Sequence, residues 1–346
     1  MMTRWLLLVL LCCVVGGTRH VDHVMHEEGN THEFSNCRWK HETYPVKAYW
    51  LNLDQNHDRS VYMESQLTRI GMAHTRVGAI SPNSSEYLVD KLEQPCKRNT
   101  PRDISVILSH LKAMYTAVHA KDDKSEFALI LEDDVKFLYD IDFNSLVKLA
   151  PPEFGILQLI TSNVEALNGL LHQFKTAAPN ERYWKKTAWN HFTKNGKTSM
   201  YWSAQAYLIN KKTVKSFLDD VITVDAATGH LHFKIINSFF PNQCKRTRDR
   251  PCVLSNCLFA DSYIFSGGGP TYISTIPLFT GSRIGYTSTI HQEQVSFHQE
   301  AFGLIKSISH DLLKSSHAFP SSGNNSSISS SSLPPYVKQP VCISHR

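Results

Sequence analysis

The sequence predicts an α/β domain in which a mostly parallel central sheet is covered by helices. Short, uninterrupted apolar runs are typical of strands buried on both faces of a sheet. These runs alternate along the chain with segments whose apolar residues recur at the helical period, which favours parallel strands joined by helices. Residues 44–314 show this pattern, and their length suits one large domain.

The predicted strands are the apolar segments Val46–Leu53, Thr75–Ile80, Phe127–Leu131, Gly155–Ile160 and Trp202–Ile209. The predicted helices are Arg59–Ile70, with Asp58 as its N-cap, Asp103–Ala120 and Lys211–Leu218. Residues 163–198 show no clear period, and connections of that length are usually functional or disordered.

The N-terminal segment has the features of a secretory signal peptide. Arg4 precedes the apolar run Trp5–Val15, and two glycines follow it. A membrane-spanning helix needs about 20 apolar residues, so an anchor is the less favoured alternative and no stable membrane span is expected. We therefore predict a signal peptide at 1–17 and residence in the lumen of the secretory pathway, in the ER or Golgi, or secretion.

Two further segments flank the predicted domain. Residues 18–43 hold several histidines without periodicity and are interpreted as a flexible lead-in. Residues 315–346 are serine-rich and are interpreted as a tail without imposed structure.

Cysteine and charge content limit the class of protein. Six cysteines follow the signal, an even number that makes disulfides plausible in an oxidising lumen. Asn83 and Asn324 begin N-glycosylation sequences, which fits a luminal glycoprotein. The net charge is +5, and basic residues form no stripe interleaved with aromatic ones, so no nucleic-acid partner is expected.

Three consecutive carboxylates, Glu132, Asp133 and Asp134, follow the buried strand Phe127–Leu131. Ligands of open α/β sheets bind beyond the carboxyl ends of the strands. Mg²⁺ and Mn²⁺ prefer carboxylate oxygens and complete their shell with substrate phosphates, so a nucleotide diphosphate is the expected ligand. A solvated acidic turn is the alternative.

Three sequence blocks follow one another along the chain: Tyr49–Asp54 with Arg59, Leu108–His110, and Leu129–Asp134. Together they resemble glycosyltransferase family 25. The family includes bacterial lipooligosaccharide galactosyltransferases and animal procollagen galactosyltransferases. The chain departs from the pattern at Ser105-Val106, in a long middle insertion and in the cysteine-rich stretch 244–257. The last two departures lie where acceptor recognition is expected, so the resemblance does not identify the acceptor.

This resemblance implies a GT-A fold, a UDP-sugar donor, usually UDP-galactose, a Mn²⁺ or Mg²⁺ cofactor, and transfer with inversion. On that basis, Glu132 and Asp134 are expected to bind the metal, joined by His291, whose alternative is a plain surface histidine. The expected donor-binding residues are Asn52, Asp54, Arg59, Ser109, His110 and Asp133. A helix-face salt bridge is the alternative for Arg59.

Inversion requires a base that deprotonates the acceptor hydroxyl. Asp261 is the first candidate, because its neighbourhood is similar to a late segment of the family, and Asp225 is the second. Either aspartate could instead cap a helix.

The sequence thus predicts a metal-dependent hexosyltransferase that acts on a glycan or on a protein hydroxyl. Two alternatives remain open at this point. One is a secreted lectin-like protein in which the triplet holds Ca²⁺ and the aromatic residues around Trp184 and Trp202 stack on sugar. The other is an inactive transferase fold that serves as a scaffold.

Overall fold

The computed structural model describes residues 46–84, 88–92, 100–187, 201–235, 259–282, 295–317 and 333–338. The strands in these ranges are β1 (Val46–Asn52), β2 (His74–Gly78), β3 (Leu88–Leu92), β4 (Phe127–Glu132), β5 (Val135–Phe137), β6 (Asp140–Ile141), β7 (Ile156–Gln158), β8 (Trp184–Lys186), β9 (Ala206–Asn210), β10 (Ile222–Val224), β11 (Leu231–Ile235), β12 (Thr271–Ser274), β13 (Phe279–Gly281) and β14 (Val337–Lys338). The helices are α1 (His57–Arg69), α2 (Pro101–His119), α3 (Phe143–Lys148), α4 (Val164–Thr176), α5 (Lys211–Val221), α6 (Ala260–Gly267) and α7 (Val295–His317).

The central sheet has the strand order β2-β1-β4-β9-β7-β12-β8. Strands β2, β1 and β4 pair in parallel, whereas β9 runs antiparallel to both of its neighbours, β4 and β7. Strand β12 is parallel to β7, and β8 is antiparallel to β12. Five of the seven strands therefore point the same way, which confirms the mostly parallel sheet predicted from the sequence.

Alternation along the strands divides the core into two layers, one on each face of the sheet. Trp50 and Leu129 belong to one buried cluster, which includes residues of α1, α3, α4 and α7. Tyr49 and Ile130 belong to the other, which includes residues of α2, α5 and α6. Each fully buried large apolar side chain contributes about 1.5–3 kcal/mol. Helices thus cover both faces, as the continuous apolar strands predict.

Helix α1 begins two residues earlier than predicted, and its predicted cap is wrong. Asn56 occupies the N-cap position without a side-chain cap hydrogen bond, and Asp58 lies inside the first turn. A carboxylate there interacts favourably with the helix dipole. Helix α2 has a capping box instead: the Thr100 hydroxyl accepts from the Asp103 N–H, and the Asp103 carboxylate accepts from the Thr100 N–H.

The region 163–198 contains two elements that the sequence interpretation missed. Helix α4 is capped by Asn163 and buries Leu167, Leu170 and Phe174, which follow helical spacing. Strand β8 then extends the central sheet on the far side of β12.

Two short antiparallel pairings involve the strands that follow the acidic triplet in the chain. Strand β13 pairs antiparallel with β5, directly after the acidic triplet, and the Ser282 N–H donates to the Asp134 carbonyl at 2.6 Å. Strand β14 pairs antiparallel with β6.

No helix in the described ranges has both the length and the apolar content needed to cross a bilayer. The cysteines, and hence the predicted disulfides, lie outside those ranges.

Candidate active site

The acidic triplet lies beside the end of β1, because parallel pairing places Leu51 opposite Glu132. The side-chain amide of Asn52 donates to Asp133 Oδ2 at 2.7 Å. Arg59, from the first turn of α1, donates from Nη1 to Asp133 Oδ1 at 2.9 Å and lies 3.5 Å from Asp134 Oδ2. The fold therefore brings Asn52, Arg59 and two of the three carboxylates into one cluster.

Asn52, at the end of β1, holds this cluster together through its side-chain hydrogen bonds. Its amide group donates to both Asp133 and the Asn56 carbonyl, and its oxygen accepts from Arg76 Nε at 2.9 Å. Only 1% of Asn52 is exposed. Both amide hydrogens are thus in use, and the residue holds the strand ends in place. Asp54 lies further out, with a side chain 88% exposed, and pairs with Arg76.

Glu132 contacts a fully buried histidine. His110, from α2, contacts Glu132 Oε1 through Nε2 at 3.2 Å and the Tyr207 hydroxyl through Nδ1 at 3.1 Å. Its neighbour Ser109 points into the protein, where its hydroxyl donates to the Ser105 carbonyl and accepts from the Ile80 N–H. His110 therefore supports the acidic end of β4 from the core, whereas Ser109 fixes the chain after β2.

Asp134 carries a charge that its surroundings only partly compensate. Burial, together with the negative charges of Glu132 and Asp133, raises its pKa to about 7. Arg59 and a hydrogen bond from Gln205 act in the opposite direction. Burial also disfavours the charge on Arg59, but the facing carboxylates outweigh this effect and raise the pKa of its guanidinium.

Asp261 enters the same site from the first turn of α6. Its Oδ2 accepts from the Ser203 N–H at 3.2 Å, and its Oδ1 accepts from the Ser262 N–H at 2.7 Å. Burial raises the pKa of Asp261 and so does the charge of Glu132, while the two N–H groups and His110 lower it. The influence of Glu132 and His110 on this carboxyl shows that it belongs to the same electrostatic environment.

A chain of hydrogen bonds joins Asp261 to the triplet. Gln205 donates to Asp134 Oδ1 at 3.3 Å and accepts from the Ser203 hydroxyl at 3.2 Å, and the Ser203 N–H reaches Asp261. Ser203 has φ = 121°, the one positive value at a non-glycine residue in the described ranges. Such backbone costs on the order of 1–3 kcal/mol and is concentrated at functional sites.

The other two candidates are not brought to this cluster by any described contact. Asp225 lies in the turn after β10, where its carboxylate accepts from the N–H groups of Ala227 and Thr228, which lower its pKa. Its role as a base stays a prediction, although its described bonds are those of a turn. His291 lies outside the described residues.

The sequence interpretation missed Gln158, Ser203, Gln205 and Tyr207. A glutamine within the apolar run Gly155–Ile160 was the available signal for the first, since a buried amide needs partners. The other three lie in the segment 203–209, which has a weaker similarity to the family, but that similarity assigned no role to any one of them.

A comparison with family models decides the family. The model described as glycosyltransferase family 25 (LPS biosynthesis protein) matches residues 46–230, more than half of the 346-residue chain. The chain belongs to glycosyltransferase family 25. The resemblance of the three sequence blocks is thereby confirmed, and glycosyltransferase activity is the activity that membership indicates. The matched segment of this family 25 protein contains the acidic triplet and ends before Asp261. No curated protein matches the chain.

Two carboxylates of this site are candidates for binding a metal. In the described ranges, no group of three or more histidine, cysteine, aspartate or glutamate side chains is arranged to hold an ion. Glu132 and Asp134 are the two candidates, with side chains 29% and 13% exposed. Asp133 is turned away toward Asn52 and Arg59.

The two tryptophans of the region considered for sugar stacking in a lectin differ in exposure. Trp184 is 9% exposed and packs near Tyr336, with ring centroids 6.3 Å apart, so little of its ring is accessible to a sugar. Trp202 is 40% exposed and precedes Ser203.

Proposed function

We propose that this protein is an inverting, metal-dependent hexosyltransferase with a GT-A fold. It transfers galactose from UDP-galactose to a hydroxyl of a glycan or protein in the lumen of the secretory pathway. One observation carries the proposal. The acidic triplet of a family 25 chain and an aspartate with a raised pKa, Asp261, are linked through Gln205 and Ser203 at one edge of the sheet. An electrophile held at the triplet would thus face a base.

The carboxylates fit a divalent cation. Mg²⁺ and Mn²⁺ commonly use one or two protein carboxylates together with substrate phosphates, which is the set that Glu132 and Asp134 offer. Burial, followed by the negative charges of Glu132 and Asp133, raises the pKa of Asp134, and a cation bound there would offset both effects. When bound, the cation would supply positive charge against the pyrophosphate of the leaving UDP.

Arg59 supports the same assignment. Both of its described ion pairs use Nη1, which leaves Nε and Nη2 for a phosphate oxygen. Because Asp133 fixes the guanidinium in position, Arg59 can meet the phosphate without losing side-chain freedom at that moment. In this arrangement Asp133 and Asn52 orient the guanidinium of Arg59, which binds the donor.

The transfer step follows from these positions. The acceptor hydroxyl oxygen attacks the anomeric carbon of galactose, and its proton passes to the carboxylate of Asp261. The bond between the anomeric carbon and the UDP oxygen breaks, and UDP leaves with the electron pair. A base whose pKa lies above the ordinary aspartate value holds that proton more effectively.

A nucleotide-sugar screen tests this proposal. UDP-, GDP- and CMP-sugars are incubated with the protein, with and without Mn²⁺, and hydrolysis is measured. We expect turnover of UDP-galactose that requires Mn²⁺, and UDP-dependent thermal stabilisation that disappears in Asp134→Ala. Sugar binding without UDP and without turnover would instead indicate a lectin.

The base is tested with two matched variants. Asp261→Asn should lower kcat by about 10²–10⁴-fold, the usual contribution of general base catalysis. Asp225→Asn should leave kcat close to that of the unmodified protein, because its carboxylate is engaged in a turn. The opposite ranking would identify Asp225 as the base and exclude Asp261.

A further inference from the structure

Gln158, the last residue of β7, connects the core to the loop that reaches Asp261. It has no solvent exposure. Its amide nitrogen lies 2.5 Å from the Tyr201 carbonyl oxygen and 3.1 Å from that of Ser203. It also lies 2.9 Å from the carbonyl oxygen of Ile160, on its own segment. The side chain therefore bridges the end of β7 to the segment immediately before β9.

The carbonyl of Trp202, between those of Tyr201 and Ser203, is bound by residues that follow β7. The Trp202 oxygen accepts from the Ser162 N–H at 2.8 Å and from the Thr161 hydroxyl at 3.0 Å. The Gln158 amide has two hydrogens for the carbonyls of Ile160, Tyr201 and Ser203, so these three acceptors share them. Each carbonyl of the segment Tyr201–Ser203 thus has a donor within 3.1 Å. A backbone segment fixed at every carbonyl has little freedom to rotate its peptide planes.

This restraint acts on the residue with the strained backbone. Ser203 keeps φ = 121°, a value that L-residues adopt only when their surroundings enforce it. With this backbone, the Ser203 N–H is directed at Asp261 Oδ2. A relaxed Ser203 would turn that N–H away from the carboxylate.

The two ends of the Gln158 amide have different surroundings. Its amide oxygen, Oε1, is buried without a hydrogen-bond partner in the described part of the chain. Its amide nitrogen supplies a donor to backbone carbonyls that an apolar side chain would leave unpaired. All the described hydrogen bonds of this side chain are therefore made by its donor end.

We propose that Gln158 is a positioning residue for the transfer reaction. By binding the carbonyls of Tyr201 and Ser203, it holds the Ser203 peptide in the orientation that fixes the carboxylate of Asp261. This inference rests on the proposed function, because it assigns the base role to Asp261.

The first experiment replaces the amide and compares kinetic constants. Gln158→Leu is assayed with UDP-galactose and MnCl₂. We expect kcat to fall about tenfold to a hundredfold, the usual effect of a misplaced reacting group, with KM changed less than about twofold. Gln158→Met takes its place if the leucine variant does not fold. The matched control is Gln173→Leu, which removes another glutamine amide that donates to two backbone carbonyls, those of Glu181 and Trp184. Its kcat should not change.

A rescue experiment separates positioning from general destabilisation. Ser203→Gly and Ser203→Ala are each added to Gln158→Leu. Both remove the hydroxyl, but only glycine adopts positive φ without strain. Glycine should recover most of the lost kcat, and alanine should not. Hydrogen exchange at the amide of residue 203 should accelerate in Gln158→Leu. It should slow again when glycine is added, because the N–H then returns to Asp261.

The outcomes distinguish the two proposals. If Asp261→Asn loses activity while Gln158→Leu keeps its kcat, the base assignment stands and the positioning role is overturned. Equal recovery by glycine and alanine, or a rise in KM with constant kcat, would also overturn it. If Asp261→Asn turns over UDP-galactose at the full rate, the proposed base and this inference are both wrong.

Discussion

Removing the negative charge of Asp134 should stabilise the metal-free protein above acidic pH. Burial and the neighbouring carboxylates raise the pKa of Asp134 from 3.8 to about 7. In the unfolded chain the carboxyl returns to its ordinary value. A folded-state pKa above the unfolded one gives stability that is complete below about pH 4 and is lost as the pH rises to about 7. The total loss corresponds to about 4 kcal/mol as an upper bound, since the side chain is 13% exposed.

Urea denaturation in EDTA at about pH 5 and about pH 8 measures this effect. Between these two pH values, the ionisation of Asp134 should lower the free energy of unfolding by at most about 3 kcal/mol. Asp134→Asn should lack this part of the decrease, because asparagine keeps the shape and does not ionise. Excess MnCl₂ at about pH 8 should restore stability to the unmodified protein but much less to the variant.

The matched control is Asp219→Asn, which removes a half-exposed carboxylate paired with Lys215 on the surface of α5. It should follow the unmodified protein across the pH range. Parallel pH profiles for the unmodified protein and Asp134→Asn would refute the reasoning, since they would show that the pKa of Asp134 is not raised in the folded protein.

Two further substitutions test the packing around the site. Asp133→Ala removes the carboxylate that Asn52 and Arg59 share, so the unfolding free energy should fall by about 3 kcal/mol, measured by urea denaturation. An unchanged stability would show that Arg59 re-pairs fully with its remaining acid. Gly155→Ala would place Cβ against the carbonyl oxygen of Gly268 at the end of α6 and should destabilise by about 1–3 kcal/mol, measured as a lower Tm. Gly169→Ala, in open space on α4, should instead leave Tm unchanged or raise it, and equal effects of the two alanines would contradict the steric argument.

Much of the sheet could be predicted because its strands are buried on both faces. Strand β4 appears in the sequence as an uninterrupted apolar run, and the carboxylates after it had to reach the sheet edge. Helix α2 followed from its apolar period in the same way. Local composition is sufficient for such elements, since burial alone determines them.

Strand direction and loop geometry could not be predicted in this way. Apolar composition does not show that β9 runs against β4, because orientation depends on the connections and on pairing with both neighbours. The same limit applies to Ser203, whose strained backbone is imposed by contacts from β7 rather than by its own sequence. Asn52 was predicted at the site, but its contacts show a support for Asp133 and Arg76.

The position of β12 limits how the chain can be shortened. This strand lies between β7 and β8 in the central sheet, yet it follows the family-matched segment, which ends at residue 230. A fragment cut there would open the ladder at β7 and leave β8 without its partner. It would also lose β13 beside β5 and the aspartate on α6. Recombinant fragments for soaking or screening should therefore extend beyond residue 282, because the boundary recognised by similarity falls inside the folded unit.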